Sequence, residues 1–291
     1  MDTPKSKDTV FISGGTTGLG LSIAKHFVRS GHPVIFCARS KSAIDMTVNY
    51  LKEIASKDQL ILGFSSDVAN IASVSEMFAE LTHLGINVNI MICNAGVIGP
   101  IDKFLESESG EWQTAFNINF YGTINLIAMA LPGMISNGSG RVIHISGGGA
   151  TSPLFGMSSY AAAKVAAVRL IETLALEYKA SGVMFNSIAP GMLKTQLLDQ
   201  MLEAGAERIG EDLFAKSIAR AEASTDTAVQ AIELIDFLAS DSSFGITGKL
   251  ISAEWDNWSE WPNHLQQLES SDIYTLRRIT GRDRGQNWGD L

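Results

Sequence analysis

The stretch "TVFISGGTTGLGLSIAKHFVRSG", residues 9–31, decides how this chain is read. It opens as a short apolar run, "TVFISG" (9–14), and turns through the glycine-rich "SGGTTGLG" (13–20). It then continues as the amphipathic segment "GLSIAKHFVRSG", closed by a C-cap-like Gly31. Gly14, Gly18 and Gly20 permit a tight turn and bring backbone N–H groups at a helix N-terminus close to a pyrophosphate. Glycines also end strands for purely conformational reasons, but the strand–turn–helix setting favours the phosphate reading.

The same rhythm recurs along the chain. Strands are expected at 9–14, 33–38 ("PVIFCA"), 59–65 ("QLILGFS"), 89–94 ("NIMICN"), 140–146 ("GRVIHIS"), 183–189 ("VMFNSIA") and 249–253 ("KLISA"). Several of these runs are continuously apolar, as strands covered on both faces should be. Amphipathic segments such as "VSEMFAELTHLG" lie between them. Strand and helix in alternation predict an α/β fold, a Rossmann-like doubly wound parallel sheet with helices on both sides. Ligands in such sheets bind beyond the carboxyl ends of the strands. There is no internal repeat and no low-complexity linker. Two regions break the rhythm, 197–227 and everything after Asp256.

With 291 residues, 45% hydrophobic and 18% charged, the chain fits one large globular domain carrying an extension. A net charge of −9 argues against a nucleic-acid partner, which would be met by a basic face. No run of about 18 apolar residues is present, so no membrane span is expected. The start "MDTPKSKDTVFISGG" carries no signal-like apolar stretch. Cys37 and Cys93 sit inside strand candidates and read as buried residues; a disulfide or a metal site would need a denser pattern. A cytoplasmic setting follows.

Tyr160 and Lys164, in "SSYAAAKVAA", are four residues apart and share one helix face. A phenol titrates near 10 unaided. A neighbouring ammonium favours the phenolate, which fits tyrosine for proton exchange with a substrate oxygen.

Taken in order, "SGGTTGLG", "SDV" (66–68), "NAG" (94–96), "NINFYGT", "YAAAK" and "PGMLKT" resemble the motifs of the short-chain dehydrogenase/reductase family over residues 9–253. That resemblance implies an NAD(P)-dependent enzyme acting on CH–OH groups, interconverting a secondary alcohol and a carbonyl. It implies a cofactor site of Gly14, Thr16, Thr17, Gly18, Leu19, Gly20, Arg39, Asp67, Val68, Asn94, Ala95, Gly96, Tyr160, Lys164, Pro190, Gly191 and Thr195. It also implies that Lys164 holds the nicotinamide ribose and that Asn119 helps to order a proton-relay water. A small-molecule substrate and a homodimer or homotetramer are expected as well. Family members that use NAD tend to end the second strand with an acid. Here it ends "CARS", with Ala38 in that place and Arg39 next, and a guanidinium pairs with a 2′-phosphate where a carboxylate repels it. NADP(H) is therefore favoured over NAD(H).

One residue departs from the pattern. The family's serine lies thirteen residues before the tyrosine, and Gly147 stands there in "HISGGGATSP". Ser146 is the nearest hydroxyl and a candidate catalytic residue. Neighbouring strand side chains point to opposite faces, however, so an unbulged strand turns it away from the nicotinamide. Thr151, Ser158 and Ser159 are further donors. Either redox chemistry persists with another donor, or the glycines make room for a bulky or anionic substrate. Epimerisation and a dinucleotide-binding sensor or partner subunit are the alternatives.

The catalytic unit is expected over 1–255, with 197–227 as a substrate lid or a solvated helical pair, and an extension over 256–291. The extension holds Trp255's neighbours Trp258, Trp261 and Trp288 and is expected to pack on this subunit or on another. Its Arg277, Arg278, Arg282 and Arg284 suit either ion pairs or a substrate phosphate or carboxylate. "SGGGATSP" together with "KLISAEWDNW" resembles a bacterial subgroup of the family with glycine for the usual serine, which implies a sugar-derived substrate.

Overall fold

The computed structural model describes residues 7–224, 228–286 and 288. Seven strands form one parallel sheet: β1 (Val10–Ser13), β2 (Val34–Ala38), β3 (Ile61–Ser65), β4 (Ile90–Cys93), β5 (Gly140–Ile145), β6 (Val183–Ala189) and β7 (Lys249–Ser252). All seven expected strands are present, mostly one or two residues shorter, because ladder pairing stops where the chain bends into a turn. Their order is β3-β2-β1-β4-β5-β6-β7. The chain thus builds outward from β1 to β3, returns, and builds the other way from β4. The crevice between β1 and β4 is the switch point where such sheets bind ligands.

Helices α1 (Gly18–Arg29), α2 (Lys41–Ile54), α3 (Ile71–His83), α4 (Ser109–Phe116), α5 (Gly122–Ser136), α6 (Ser158–Glu177), α7 (Gln196–Ile209), α8 (Glu211–Glu222) and α9 (Ala228–Ala239) follow in chain order. Alternation along the strands divides the core. Val10 and Ile12 join Ile23 and Phe27 of α1 and Leu234 of α9 in one layer, while Phe11 joins Met77 of α3, Leu126 of α5 and Ile171 of α6 in the other. Cys37 and Cys93 are free, buried thiols on β2 and β4.

The helical run Ser109–Ser136 is long and apolar enough for a bilayer by length and composition, yet half of its apolar window is buried inside the protein. It packs on β4, β5 and α3 as a core helix. A π turn, Asn117–Tyr121, interrupts it and was not expected from the sequence.

Within 197–227 the chain forms α7 and α8, and Gly205 (φ 74) breaks α7 internally. Residues 225–227 of the expected lid lie outside the described residues, as do 1–6, 287 and 289–291 of the expected catalytic unit and extension. After β7 the chain runs through a 3-10 segment, Trp258–His264, and α10 (Leu265–Ser270). Trp261 is buried in the layer that holds α9, and Trp258 lies 5.2 Å, ring to ring, from Phe237. Trp255 and Trp288 are exposed.

Candidate active site

The glycine-rich turn joins β1 to α1 at the switch point. Gly14 takes a left-handed φ of 70, and a Cβ at Gly20 would lie 2.1 Å from the Gly14 carbonyl oxygen, so no other residue fits at position 20. Thr17 caps α1 without a side-chain hydrogen bond, and the first helical turn carries no acid. The first residues of α1 line the cleft with no side-chain cap on their N–H groups among the described residues, which suits a pyrophosphate. Asn94 ties β4 to the turn: its Nδ2 donates to the carbonyls of Ser13 (2.9 Å) and Gly14 (3.3 Å). Ser13 Oγ accepts from the N–H groups of Asn94 (2.9 Å) and Ala95 (3.0 Å). Sequence reading missed Ser13, because a serine ending a strand carries no periodic signal.

Every residue expected at the cofactor lines one cleft of ≈1370 Å³. That exceeds the roughly 300–1,000 Å³ of a single small-molecule site, which leaves room for a dinucleotide and a substrate together. Asp67 stands at the far end, its carboxylate accepting the Ala69 N–H at 3.0 Å, and Arg39 is exposed at the cleft rim.

Tyr160 and Lys164 face the same cleft from α6. Lys164 Nζ donates to the Ile145 carbonyl at 2.8 Å, which pins α6 to the end of β5, and it lies 5.6 Å from the centre of the Tyr160 ring. Burial pushes the Tyr160 phenol up to about 12 and the Lys164 ammonium down to about 8. In the protein alone, desolvation therefore outweighs the expected lowering of the phenol by the lysine. Asn119 sits in the π turn, where the Gly122 N–H reaches back five residues to the Asn117 carbonyl. Its Oδ1 accepts from the Val97 N–H (3.2 Å), and its Nδ2 donates to the carbonyls of Val97 (2.7 Å) and Ala115 (2.8 Å). Buried and outside the cleft lining, Asn119 fixes the segment after "NAG" that borders Lys164.

Gly147 is extended (φ −178, ψ 173), and a Cβ built there would lie 2.5 Å from Tyr160 Oη. The side-chain direction of position 147 thus points at the phenol, and the phenol occupies the space. Ser146, one residue earlier, also lines the cleft; its Oγ is enclosed and has no hydrogen-bond partner among the described residues. Ser159 Oγ donates to the Trp112 carbonyl (2.6 Å), and Ser158 Oγ accepts from Trp112 Nε1 (3.0 Å), so both are engaged with α4. Of the hydroxyls considered, Thr151 lines the cleft along with Ser146.

Beyond Tyr160 the cleft is walled by Leu154, Met157, Met201 and Leu213. Helix α7 is clamped at its end by Arg208, whose Nε donates to Asp102 Oδ1 at 2.9 Å.

A parallel sheet in this order, a glycine turn feeding α1, and a Tyr–Lys pair in the same cleft define a dinucleotide-dependent oxidoreductase. The sequence model of the short chain dehydrogenases matches residues 8–205, and the chain belongs to that family. It is an oxidoreductase of alcohol and carbonyl groups. It is similar to the uncharacterized oxidoreductase YvrD of Bacillus subtilis (strain 168), 27% identical over 256 residues, covering 85% of this chain and 95% of that protein. Among solved structures, an actinorhodin polyketide ketoreductase with NADPH superposes with a TM-score of 0.75 at 22% identity, covering 84% of this chain and 95% of that one. An NAD+-bound xylitol dehydrogenase superposes with 0.74 at 18% identity, covering 86% and 98%.

Proposed function

We propose that this protein uses NADPH to reduce the carbonyl of a small substrate to a secondary alcohol, and runs the reverse oxidation with NADP+. The observation that carries the reading is the placement of the Tyr160 phenol beside Lys164 in the cleft that begins at the glycine turn. When bound, the nicotinamide supplies or accepts the hydride. The N-terminus of α1 would hold the pyrophosphate, and Arg39, with no acid at Ala38, would meet the 2′-phosphate. Tyr160, with its phenol held protonated at neutral pH, donates to the carbonyl oxygen as reduction proceeds. Lys164 places its positive charge beside the phenolate so formed, and Asn119 keeps the adjoining loop in position.

The apolar wall of Leu154, Met157, Met201 and Leu213 favours a carbonyl on an apolar body. A cytoplasmic homodimer or homotetramer is consistent with the buried free thiols and with exposed Leu176, Tyr121 and Ile135 on the α5–α6 side. The test is a panel of ketones and alcohols followed at the reduced-cofactor absorbance band. Turnover with NADPH that disappears in Tyr160→Phe supports the proposal. NADPH binding without turnover on any member would point instead to a sensor or partner subunit.

A further inference from the structure

The tail after α10 is held by its backbone between β7 and α6. Lys249 Nζ donates to the carbonyls of Ile273 (3.0 Å) and Ser271 (3.4 Å), and the Leu250 N–H of β7 donates to the Tyr274 carbonyl (2.8 Å). Glu172, two turns beyond Lys164 on α6, accepts the Leu276 N–H at 2.7 Å. Arg169 donates to the Leu276 carbonyl and pairs with Glu172 at 2.8 Å. Lys249 and Glu172 are 5% and 6% exposed. Burying two charges is unfavourable unless each has partners, and here tail backbone groups serve both, with Arg169 also paired to Glu172. The backbone of residues 271–276 is thus tied at Ser271, Ile273, Tyr274 and Leu276.

Those side chains reach the catalytic cleft. Tyr274, Thr275 and Leu276 line it, and their far side lines a second cavity of ≈1010 Å³ over α6, so the tail is a wall one segment thick. Tyr274 sits at φ 59, a left-handed conformation that costs a residue with a side chain roughly 1–2 kcal/mol, and its ring packs 4.2 Å, centre to centre, from buried Trp261. A strained residue held by packing at the edge of a functional cleft is where positioning is at stake.

We infer that the tail strap is a built part of the substrate site, with Tyr274 and Leu276 setting the size of the apolar ketone body that is accepted. This rests on the carbonyl-reductase reading and adds the substrate's class and the residues that select it.

The strap is tested with Leu276→Ala, Leu276→Phe and Tyr274→Asn, asparagine being tolerant of the left-handed conformation. Ile279→Ala serves as a control that borders the second cavity and not the cleft. The readout is the ratio of kcat/KM for 1-tetralone over 2-butanone, with NADPH affinity and unfolding midpoint recorded for each variant. Leu276→Ala and Leu276→Phe should shift the ratio in opposite directions, about tenfold apart, while Ile279→Ala stays within about twofold of the parent. Tyr274→Asn should move it in the direction of Leu276→Ala. Opposite shifts distinguish a wall from a merely structural segment, since loss of stability has one sign.

Equal ratios in both Leu276 variants would overturn the inference. Should the parent protein bind NADPH but reduce neither ketone, the carbonyl-reductase reading fails on its own. Titration of 1-tetralone into the NADPH complex, followed by tryptophan fluorescence, then decides the strap. Dissociation constants at least about fivefold apart in the two Leu276 variants support it, and equal constants or no saturable binding overturn it.

Discussion

Gly147→Ala and Gly147→Ser each place a Cβ 2.5 Å from Tyr160 Oη, whereas ordinary contacts begin at 3.4 Å, so the two atoms must separate by 3.4 − 2.5 = 0.9 Å. The phenol oxygen ends a side chain with two torsions, and the ring swings more readily than β5 moves. The stability cost should fall at the low end of the roughly 1–3 kcal/mol seen for overpacking. The catalytic cost should be larger, because an error of about 1 Å in a reacting group is worth about 100-fold in rate. That corresponds to about 2.7 kcal/mol of barrier. The assay is steady-state ketone reduction beside NADPH binding by fluorescence and thermal unfolding. The expected outcome is kcat reduced about 100-fold in both variants with NADPH affinity within about twofold of the parent. The serine variant is the sharper case, because it restores the hydroxyl the family usually carries. A Gly147→Ser enzyme as fast as the parent, or faster, would show that the glycine is a lost donor and not the space Tyr160 requires.

Arg39→Ala should weaken NADPH about 10–100-fold and leave NADH within about twofold, as expected for loss of a charge-assisted phosphate contact; equal effects on the two would remove the basis for NADP(H) preference. Lys164 titrates near 8 in the folded protein against 10.5 ordinarily, so the unfolded chain binds the extra proton between those values. The folded state of the parent should therefore gain stability relative to Lys164→Met as pH rises from about 8 to 10.5, by up to about 3 kcal/mol, in chemical unfolding at a series of pH values. A constant difference across that window would contradict it. Cys37 and Cys93 are fully enclosed, with burial pushing both thiols up to about 12. Neither should react with an aromatic disulfide reagent in the native protein, and both should react at once in denaturant.

Much of this architecture is legible in the sequence because the physics is local. "VIFCA" and "NIMIC" are apolar without alternation, since both faces of a central parallel strand are covered. The glycine turn is legible because Gly20 leaves no room for a side chain. What escapes is set by distant partners or by small shifts in helix phase. "AFNINFYGT" reads as one helix, and the π turn that presents Asn119 to Val97 differs from it by a single inserted residue. Glu172 and Lys249 look like ordinary helix and strand charges, yet the N–H and carbonyls they meet lie about a hundred and about twenty residues further on. The register of Gly147 against Tyr160 was readable from spacing, whereas the crowding between them required coordinates. Gly205, inside "LEAGAERIG", was the available signal for the break in α7.

The central claim is that Tyr160 protonates a carbonyl as it receives hydride in the cleft. Its most direct test loads the protein with NADPH deuterated at the transferring position of nicotinamide C4, adds a ketone, and analyses the product alcohol by mass spectrometry. The account predicts one deuterium on the carbinol carbon, with the single-turnover rate about 10²–10⁴-fold lower in Tyr160→Phe and NADPH affinity unchanged. Labelled alcohol formed as fast by Tyr160→Phe as by the parent, or no label in any product while NADPH binds, would contradict it.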